Sequence, residues 1–224
     1  MPRSQPPAAE RDGLLATRGE RKQRTREALL DAALRLMAEG RSFTSLGLRE
    51  ITREAGVVPT SFYRHFRDLD ELGLALVDDG AGTLRRLLRE ARARGGDYED
   101  LLRRSVAIYR DYVREHRLAF LFVASERSGG SPLIRAAIRT EVSHFASELA
   151  QDLRRLNLLP HLSTATLVMV CGLVVDTMLN AAGLLLDLPE SPSRQEEELL
   201  ETFVRQLRLI FLGAAAWRDD QKRS

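Results

Sequence analysis

The 224-residue chain is long enough for one small and one larger folded unit, each burying its own apolar core. Hydrophobic residues make up 44% and charged residues 29%, with only 15 Gly and 8 Pro, which suits a soluble, mostly helical protein and confines disorder to the ends. A formal net charge of +2 does not by itself mark a polyanion-binding protein, so any such site has to come from local clustering of cations.

In chain order, Met1 to Gly19 holds Pro, Arg and Ser but no apolar core of the length a secretory signal needs, and residues 1–20 read as a flexible basic arm. Leu29, Ala32, Ala33 and Leu36 recur at helical spacing and predict a first helix from about Arg24 to Glu39, with Gly40 placed to end it. A second helix is predicted from about Leu48 to Ala55, stopping at Gly56. Pro59 suits the first turn of a third, about Pro59 to His65, because its missing N–H would be unpaired there anyway. Asp68 caps a fourth helix of about residues 69–92. Five more follow over roughly 97–115, 117–126, 132–156, 162–186 and 194–217, separated at Gly95-Gly96, Gly129-Gly130, Pro160 and Pro189 to Pro192. Beta signals are nearly absent, so the expected class is all-α with about nine helices.

The segment Leu162 to Leu188 is long enough to cross a bilayer. Asp176 and Asn180 lie one turn apart near its middle, with Thr164, Thr166 and Thr177 adding further polar groups, so a buried interface helix is expected and no membrane partner. Cys171, the only cysteine, excludes an internal disulfide and lies in an apolar run where a reduced thiol packs as a small hydrophobe, which points to a cytoplasmic protein.

Residues 48–66, LREITREAGVVPTSFYRHF, join two short helices by a tight Gly-containing turn, the sequence form of a helix-turn-helix. Phe62 and Phe66 share one face and are expected to pack on Ile51, Ala55 and the first helix. The opposite face shows Thr60, Ser61, Tyr63 and Arg64, all hydrogen-bonding groups of the kind that read base edges and clamp phosphates. Upstream, Arg18, Arg21, Lys22, Arg24 and Arg26 crowd five cations into nine residues, suited to phosphate attraction by counterion release.

Arg26 to Leu72 resembles the TetR family DNA-binding domain. The resemblance is carried by Ala32-Ala33, Arg49-Glu50-Ile51, Glu54-Ala55-Gly56-Val57 and Tyr63-Arg64-His65-Phe66. It implies that Thr60, Ser61, Tyr63 and His65 touch DNA and that Thr44 or Ser45 meets the backbone at the start of the second helix. Arg24, Arg49 and Arg64 complete the candidate DNA-binding set. Three positions depart from the family pattern: Gly47 and Val58 replace frequent Ser or Thr helix caps, and Leu69 stands where many members place a phosphate-binding lysine, for which Arg67 is the expected substitute. The expected organisation is an arm over 1–20, the DNA-binding unit over 21–70, a ligand-binding and dimerisation unit over 71–217 and a tail over 218–224, the boundary falling within the fourth helix.

The stretch PTSFYRHFRDLDELGLALVDD, with Glu126-Arg127-Ser128-Gly129 and AAIRTEVSHFASELAQDL, is similar to the FabR-like subgroup of TetR repressors, which control unsaturated fatty acid biosynthesis. That likeness implies a long-chain acyl thioester, acyl-CoA or acyl-ACP, as effector, no bound cofactor, and a homodimer on a palindromic operator of double-stranded DNA, paired through the last two helices. Val106, Tyr109, Val113, Phe120, Phe122, Phe145, Val170, Val174 and Met178 are the candidate walls of an apolar tunnel, and they would serve equally as ordinary core. Arg127, Arg135 and Arg139 would meet effector phosphates or, in the plainer reading, pair with Glu126 and Glu141.

Other readings are a repressor responding to a different hydrophobic molecule in efflux or catabolic control, a non-DNA acyl-binding protein, and an enzyme. Glu141-Val-Ser-His144 is half of the motif used by di-metal carboxylate bundles, but the chain has no second copy. Without Gly-x-Ser-x-Gly, P-loop or Gly-x-Gly-x-x-Gly motifs, no catalytic residue and no metal site is expected.

Overall fold

The computed structural model describes residues 17–94, 98–189, 191 and 193–218. The arm over 1–16, the Gly95-Gly96 break, Pro192 and the tail after residue 218 lie outside the described residues. The described residues form nine α-helices, one short 3-10 turn and no strand, an all-α fold.

α1 (Arg18–Ala38) begins earlier than the apolar spacing predicts. A capping box starts it: the Glu20 N–H donates to the Thr17 hydroxyl at 3.2 Å while the Thr17 N–H donates to the Glu20 carboxylate at 2.7 Å. Residues 18–20 are therefore helical, and the basic run Arg18 to Arg26 lies on a helix rather than on an arm. A 3-10 turn over Phe43–Ser45 leads to α2 (Leu48–Glu54) and then α3 (Pro59–Phe62). Gly56 sits between them at φ +68, a left-handed backbone that a Cβ would strain. Regular helix stops at Phe62 rather than His65, because the His65 and Phe66 N–H groups both donate to the Phe62 carbonyl, at 2.8 and 3.0 Å, and tighten the last turn.

The larger helices follow: α4 (Leu69–Ala93), α5 (Tyr98–Glu115), α6 (Arg117–Glu126), α7 (Pro132–Arg155), α8 (Thr164–Leu186) and α9 (Arg194–Ala216). Side chains of Asp68, Ser131, Ser163 and Ser193 accept backbone N–H groups at the starts of α4, α7, α8 and α9. α8 is the one described helix apolar and long enough to cross a membrane. Its Leu167, Val174, Ala181 and Leu185 are instead buried against other helices of the same chain, and Asp176 pairs with Arg127, just after α6, at 2.7 Å.

One apolar cluster runs from the small N-terminal unit into the larger one. Leu29, Ile51, Phe62 and Phe66 share it with Leu72, Leu76 and Val77 of α4, Phe122 of α6, and Ile134 and Ile138 of α7. Phe43 is the wedge, its ring edge-on to Phe122 at 5.6 Å. A Cβ at Gly73 would come within 2.6 Å of Ile134 and 2.9 Å of Phe43, so glycine is what allows this close approach. The Phe43 N–H donates to the Glu126 carboxyl at 3.2 Å, and Glu126, at the end of α6, is only 1% exposed. Its second oxygen has no partner among the described residues. Gly130 folds over this carboxyl at φ +57, where a Cβ would sit 1.5 Å from the oxygen, and Arg135 pins the loop by donating to the Gly129 and Gly130 carbonyls at 2.7 Å.

Charge holds α4 to α7. Arg85 meets Glu141 at 2.5 Å, Arg89 meets Glu148 at 2.5 Å, and the nearly buried Arg92 meets Asp152 at 2.5 Å. A buried pair is costly to break, about 3–5 kcal/mol when one partner is removed, so this ladder fixes the distal half of α4 while its proximal half belongs to the N-terminal cluster.

Two stability predictions follow from the packing of the small unit. Phe62 is fully buried, so Phe62→Ala is expected to lower the unfolding free energy by about 3–5 kcal/mol in a denaturant titration. His65 is held below its ordinary value of 6.5 by burial first and then by Lys22, Arg26 and Arg64. The unfolded chain takes up a proton near pH 6.5 that the folded chain resists, so stability should fall as pH drops from 7 towards 5, and His65→Gln should flatten that fall. The lowered carboxyls of Glu50, Glu71, Glu99 and Glu201 lose their contribution only below about pH 4.5, outside this window.

Candidate nucleic-acid interface and effector cavity

The candidate DNA-reading face is built on α3. With Phe62 and Phe66 turned inward, Thr60, Tyr63 and Arg64 are left on the outer face, Tyr63 63% exposed with its ring propped edge-on against Phe62 at 5.7 Å. Ser61 and His65 are half-buried at its margin, and the His65 Nδ1 has no partner among the described residues. The Arg26 guanidinium, lying over the Phe66 ring, places the basic start of α1 beside the end of α3. Hydroxyls, a phenol and guanidinium groups thus share one side of the small unit, the equipment of base-edge contacts framed by phosphate clamps.

The supporting residues divide. Arg24 on α1 and Arg49 on α2 are exposed, as are Thr44 and Ser45 in the 3-10 turn, where the Ser45 hydroxyl donates to the Ser42 carbonyl at 2.7 Å. Arg26, counted in the basic run, is engaged within the fold: its guanidinium lies over the Phe66 ring at 5.6 Å and 3.8 Å from Asp79 of α4. Arg67 is exposed, but its Nε donates to Glu71 at 3.0 Å and its backbone N–H to the same carboxylate at 2.6 Å, drawing it towards the start of α4. These bonds, the backbone one first, hold the Glu71 carboxyl below its usual range. The missing cap at Gly47 is compensated in part: the Gly47 N–H donates to Glu50 at 3.0 Å, and Arg41 grips that carboxylate at 2.9 and 3.1 Å. Val58 has no such substitute and leaves Pro59 to start α3.

Two cavities lie in the larger unit. The first, about 360 Å³, is lined by α4, α5, α7, α8 and α9, with Val106, Val174, Met178, Phe203, Leu207 and Phe211 among its walls. Leu158 and Leu159 close one end. Leu159 takes a left-handed backbone, φ +53, unusual for a branched aliphatic residue. Arg154 holds the turn by donating to the carbonyls of Leu159, Pro160 and Leu162. The second cavity, about 110 Å³, lies nearer the small unit and is walled by Leu76, Val77, Tyr109, Phe120, Ile138 and Phe145 among others. Tyr109 is fully buried, its hydroxyl donates to the Met178 carbonyl at 2.8 Å, and burial raises its pKa.

Of the predicted tunnel residues, Val106 and Val174 line the first cavity, Tyr109, Phe120 and Phe145 the second, and Met178 both. Three line neither. Phe122 faces Phe43 in the N-terminal cluster, Val113 is buried in the α5 core, and Val170 packs with Ala146, Ala150 and Cys171. The walls from α9 were not anticipated, although Phe203, Leu207 and Phe211 recur at every fourth residue and so announce an inward stripe. Arg127, Arg135 and Arg139 line neither cavity. Arg127 pairs with Asp176 and Arg135 with loop carbonyls, while Glu141 takes Arg85, so the expected pairing with Glu126 and Glu141 is not the one formed.

His144 lies 3.2 Å from Glu141, and among the described residues no group of three or more His, Cys, Asp or Glu is placed to hold a metal ion. Burial pushes the Cys171 thiol up to about 12, which keeps it protonated and inert.

Comparison with known proteins agrees with this arrangement. Residues 29–76 match the family described as bacterial regulatory proteins, tetR family, and residues 98–206 match the tetracyclin repressor-like C-terminal domain. Similar folds include FadR of Bacillus subtilis in complex with stearoyl-CoA, at 14% identity and TM-score 0.63 over 84% of this chain and 98% of that one. The fatty acid degradation regulator FadR of Bacillus halodurans, at 12% identity, aligns with TM-score 0.60 over 86% of this chain and 95% of its own. A tetR-family transcriptional regulator of Streptomyces coelicolor, at 22% identity, aligns with TM-score 0.64 over 90% and 84%. With the two family matches taking in more than two thirds of its length and a helix-turn-helix seated on a larger helical unit, the chain belongs to the TetR family of bacterial transcriptional regulators.

Proposed function

We propose that this DNA-binding regulator acts in the cytoplasm as a homodimeric repressor of lipid or fatty-acid genes, bound to a palindromic operator and answering a long-chain acyl thioester, acyl-CoA or acyl-ACP. It is a DNA-binding protein of the TetR family and not an enzyme. The observation that carries the effector reading is the cavity of about 360 Å³ whose walls are almost wholly aliphatic and aromatic. Such a site gains affinity from apolar burial and has few groups to satisfy a polar ligand. FadR of Bacillus subtilis, a protein of the same fold, has been seen with stearoyl-CoA, which supports an acyl chain among the hydrophobic molecules of suitable size.

Dimerisation is supported by the outer faces of α8 and α9. Met169, Leu173 and Leu184 on α8, with Leu209 and Leu212 on α9 and Trp217 just after it, are between 48% and 68% exposed, against the habit of large apolar side chains.

 Gly172 and Gly183 on α8 and Gly213 on α9 open outward with nothing near their Cα hydrogens, which lets a second helix approach closely. Two copies joined there form a four-helix interface and present two α3 helices to half-sites about 34–36 Å apart.

A gel-shift titration of the purified protein against its own upstream intergenic DNA tests both halves of the reading. Sequence-selective binding that weakens with salt is expected, shifted by saturated or unsaturated long-chain acyl-CoA. Selective binding that every acyl-CoA leaves unchanged would remove the acyl effector, and absence of selective binding would remove the operator reading. In the same assay Tyr63→Ala should cost about 1–3 kcal/mol of operator affinity, roughly 5- to 150-fold, with an unaltered unfolding midpoint.

A further inference from the structure

The two cavities share a single lining residue, Met178 of α8. Its backbone is fixed by the hydrogen bond from Tyr109 to its carbonyl, at 2.8 Å, while its side chain is unbranched and carries three rotatable bonds. A partition of this kind can swing without moving the helix that bears it.

What lies on either side differs. The first cavity touches α4 only at Leu88 and Arg92, in the half of that helix pinned to α7 by the Arg92–Asp152 pair. The second also touches the ladder, at Glu141 of α7, but in addition reaches Leu76 and Val77 of α4 and Ile138 of α7, which belong to the apolar cluster shared with Phe43, Phe62 and Phe66 of the reading unit and which the first cavity does not touch. Of the two, only the second cavity reaches the core of the DNA-reading unit, so filling it presses there while filling the first presses on the fixed frame.

Size sets which cavity a chain reaches. Benzene in a cavity of about 150 Å³ implies roughly 25 Å³ per non-hydrogen atom, so the first cavity, about 360 Å³, holds about 14 chain atoms and the second, about 110 Å³, about four more.

Resting on the acyl-chain reading above, we infer that Met178 divides the effector site into a binding chamber and a signalling chamber, so that chains longer than about 14 carbons displace it and alter DNA binding while shorter ones bind silently. Met178 is thus a specificity-determining residue for the response as distinct from occupancy.

The test uses the full chain and a series of saturated acyl-CoAs from 10 to 18 carbons, measuring acyl-CoA affinity by calorimetry and operator affinity by fluorescence anisotropy. The expected result is that chains of 10 to 14 carbons bind yet change operator affinity less than twofold, while chains of 16 and 18 change it at least tenfold. Met178→Ala should lower the length threshold by two or more carbons. Met178→Phe should weaken binding of the 16- and 18-carbon chains about tenfold and abolish their effect on the operator. Opposite displacement of the threshold by the two substitutions is an outcome that general destabilisation does not produce. Operator affinity that follows occupancy at every chain length, or a threshold that neither substitution moves, would overturn the inference alone. Failure of every chain to bind would overturn the acyl-effector reading and this inference with it.

Discussion

The arrangement depends on how Phe43 is buried. Its ring and its backbone N–H both leave the small unit and enter the larger one, the ring against Phe122 and Ile134, the N–H donating to Glu126 at 3.2 Å. A buried N–H without an acceptor costs about 1–3 kcal/mol, so the loop between α1 and α2 is stable only while the end of α6 stays in place. Glu126 in turn needs Gly130, since any side chain there would occupy the space of its carboxyl. The reading unit is consequently not a bead on a linker; part of its core is supplied by α6 and α7.

That shared core gives α4 its role. Its first turns, with Leu72, Leu76 and Val77, are packed beneath α1, α2 and α3, and its later turns are tied to α7 through Arg85, Arg89 and Arg92. A ligand that binds two arrangements of this helix with different affinity shifts their populations, and by linkage operator DNA shifts ligand affinity by the same factor. A coupling of this kind typically amounts to about 1–3 kcal/mol, well below the cost of breaking the Arg92–Asp152 pair, so the proximal half of α4 is the part free to respond.

Much of this was legible in the sequence because it rests on local rules. The helices show in their apolar spacing and in caps such as Asp68, and the reading face shows because Phe62 and Phe66 fix which way Tyr63 and Arg64 must point. α1 starts ahead of its apolar stripe because Thr17 and Glu20 form a capping box there, a signal that the spacing of the stripe does not carry. Phe122 reads as a tunnel wall because its place on α6 says that it is buried and cannot say against which unit. Arg26 reads as one cation among five, and only the tertiary structure brings the Phe66 ring beneath it. The α9 wall of the cavity is a different case, for its period was present in Phe203, Leu207 and Phe211 and only its partner was hidden.

On the proposed function, ligand and DNA communicate through the core joined at Phe43 and Glu126. The most direct measurement is operator affinity with and without saturating 18-carbon acyl-CoA in the unaltered protein and in Glu126→Ala, with ligand affinity determined for both. Glu126→Ala is expected to bind operator and acyl-CoA separately, while the factor by which acyl-CoA changes operator affinity falls at least fivefold. An identical factor in the two proteins would contradict it.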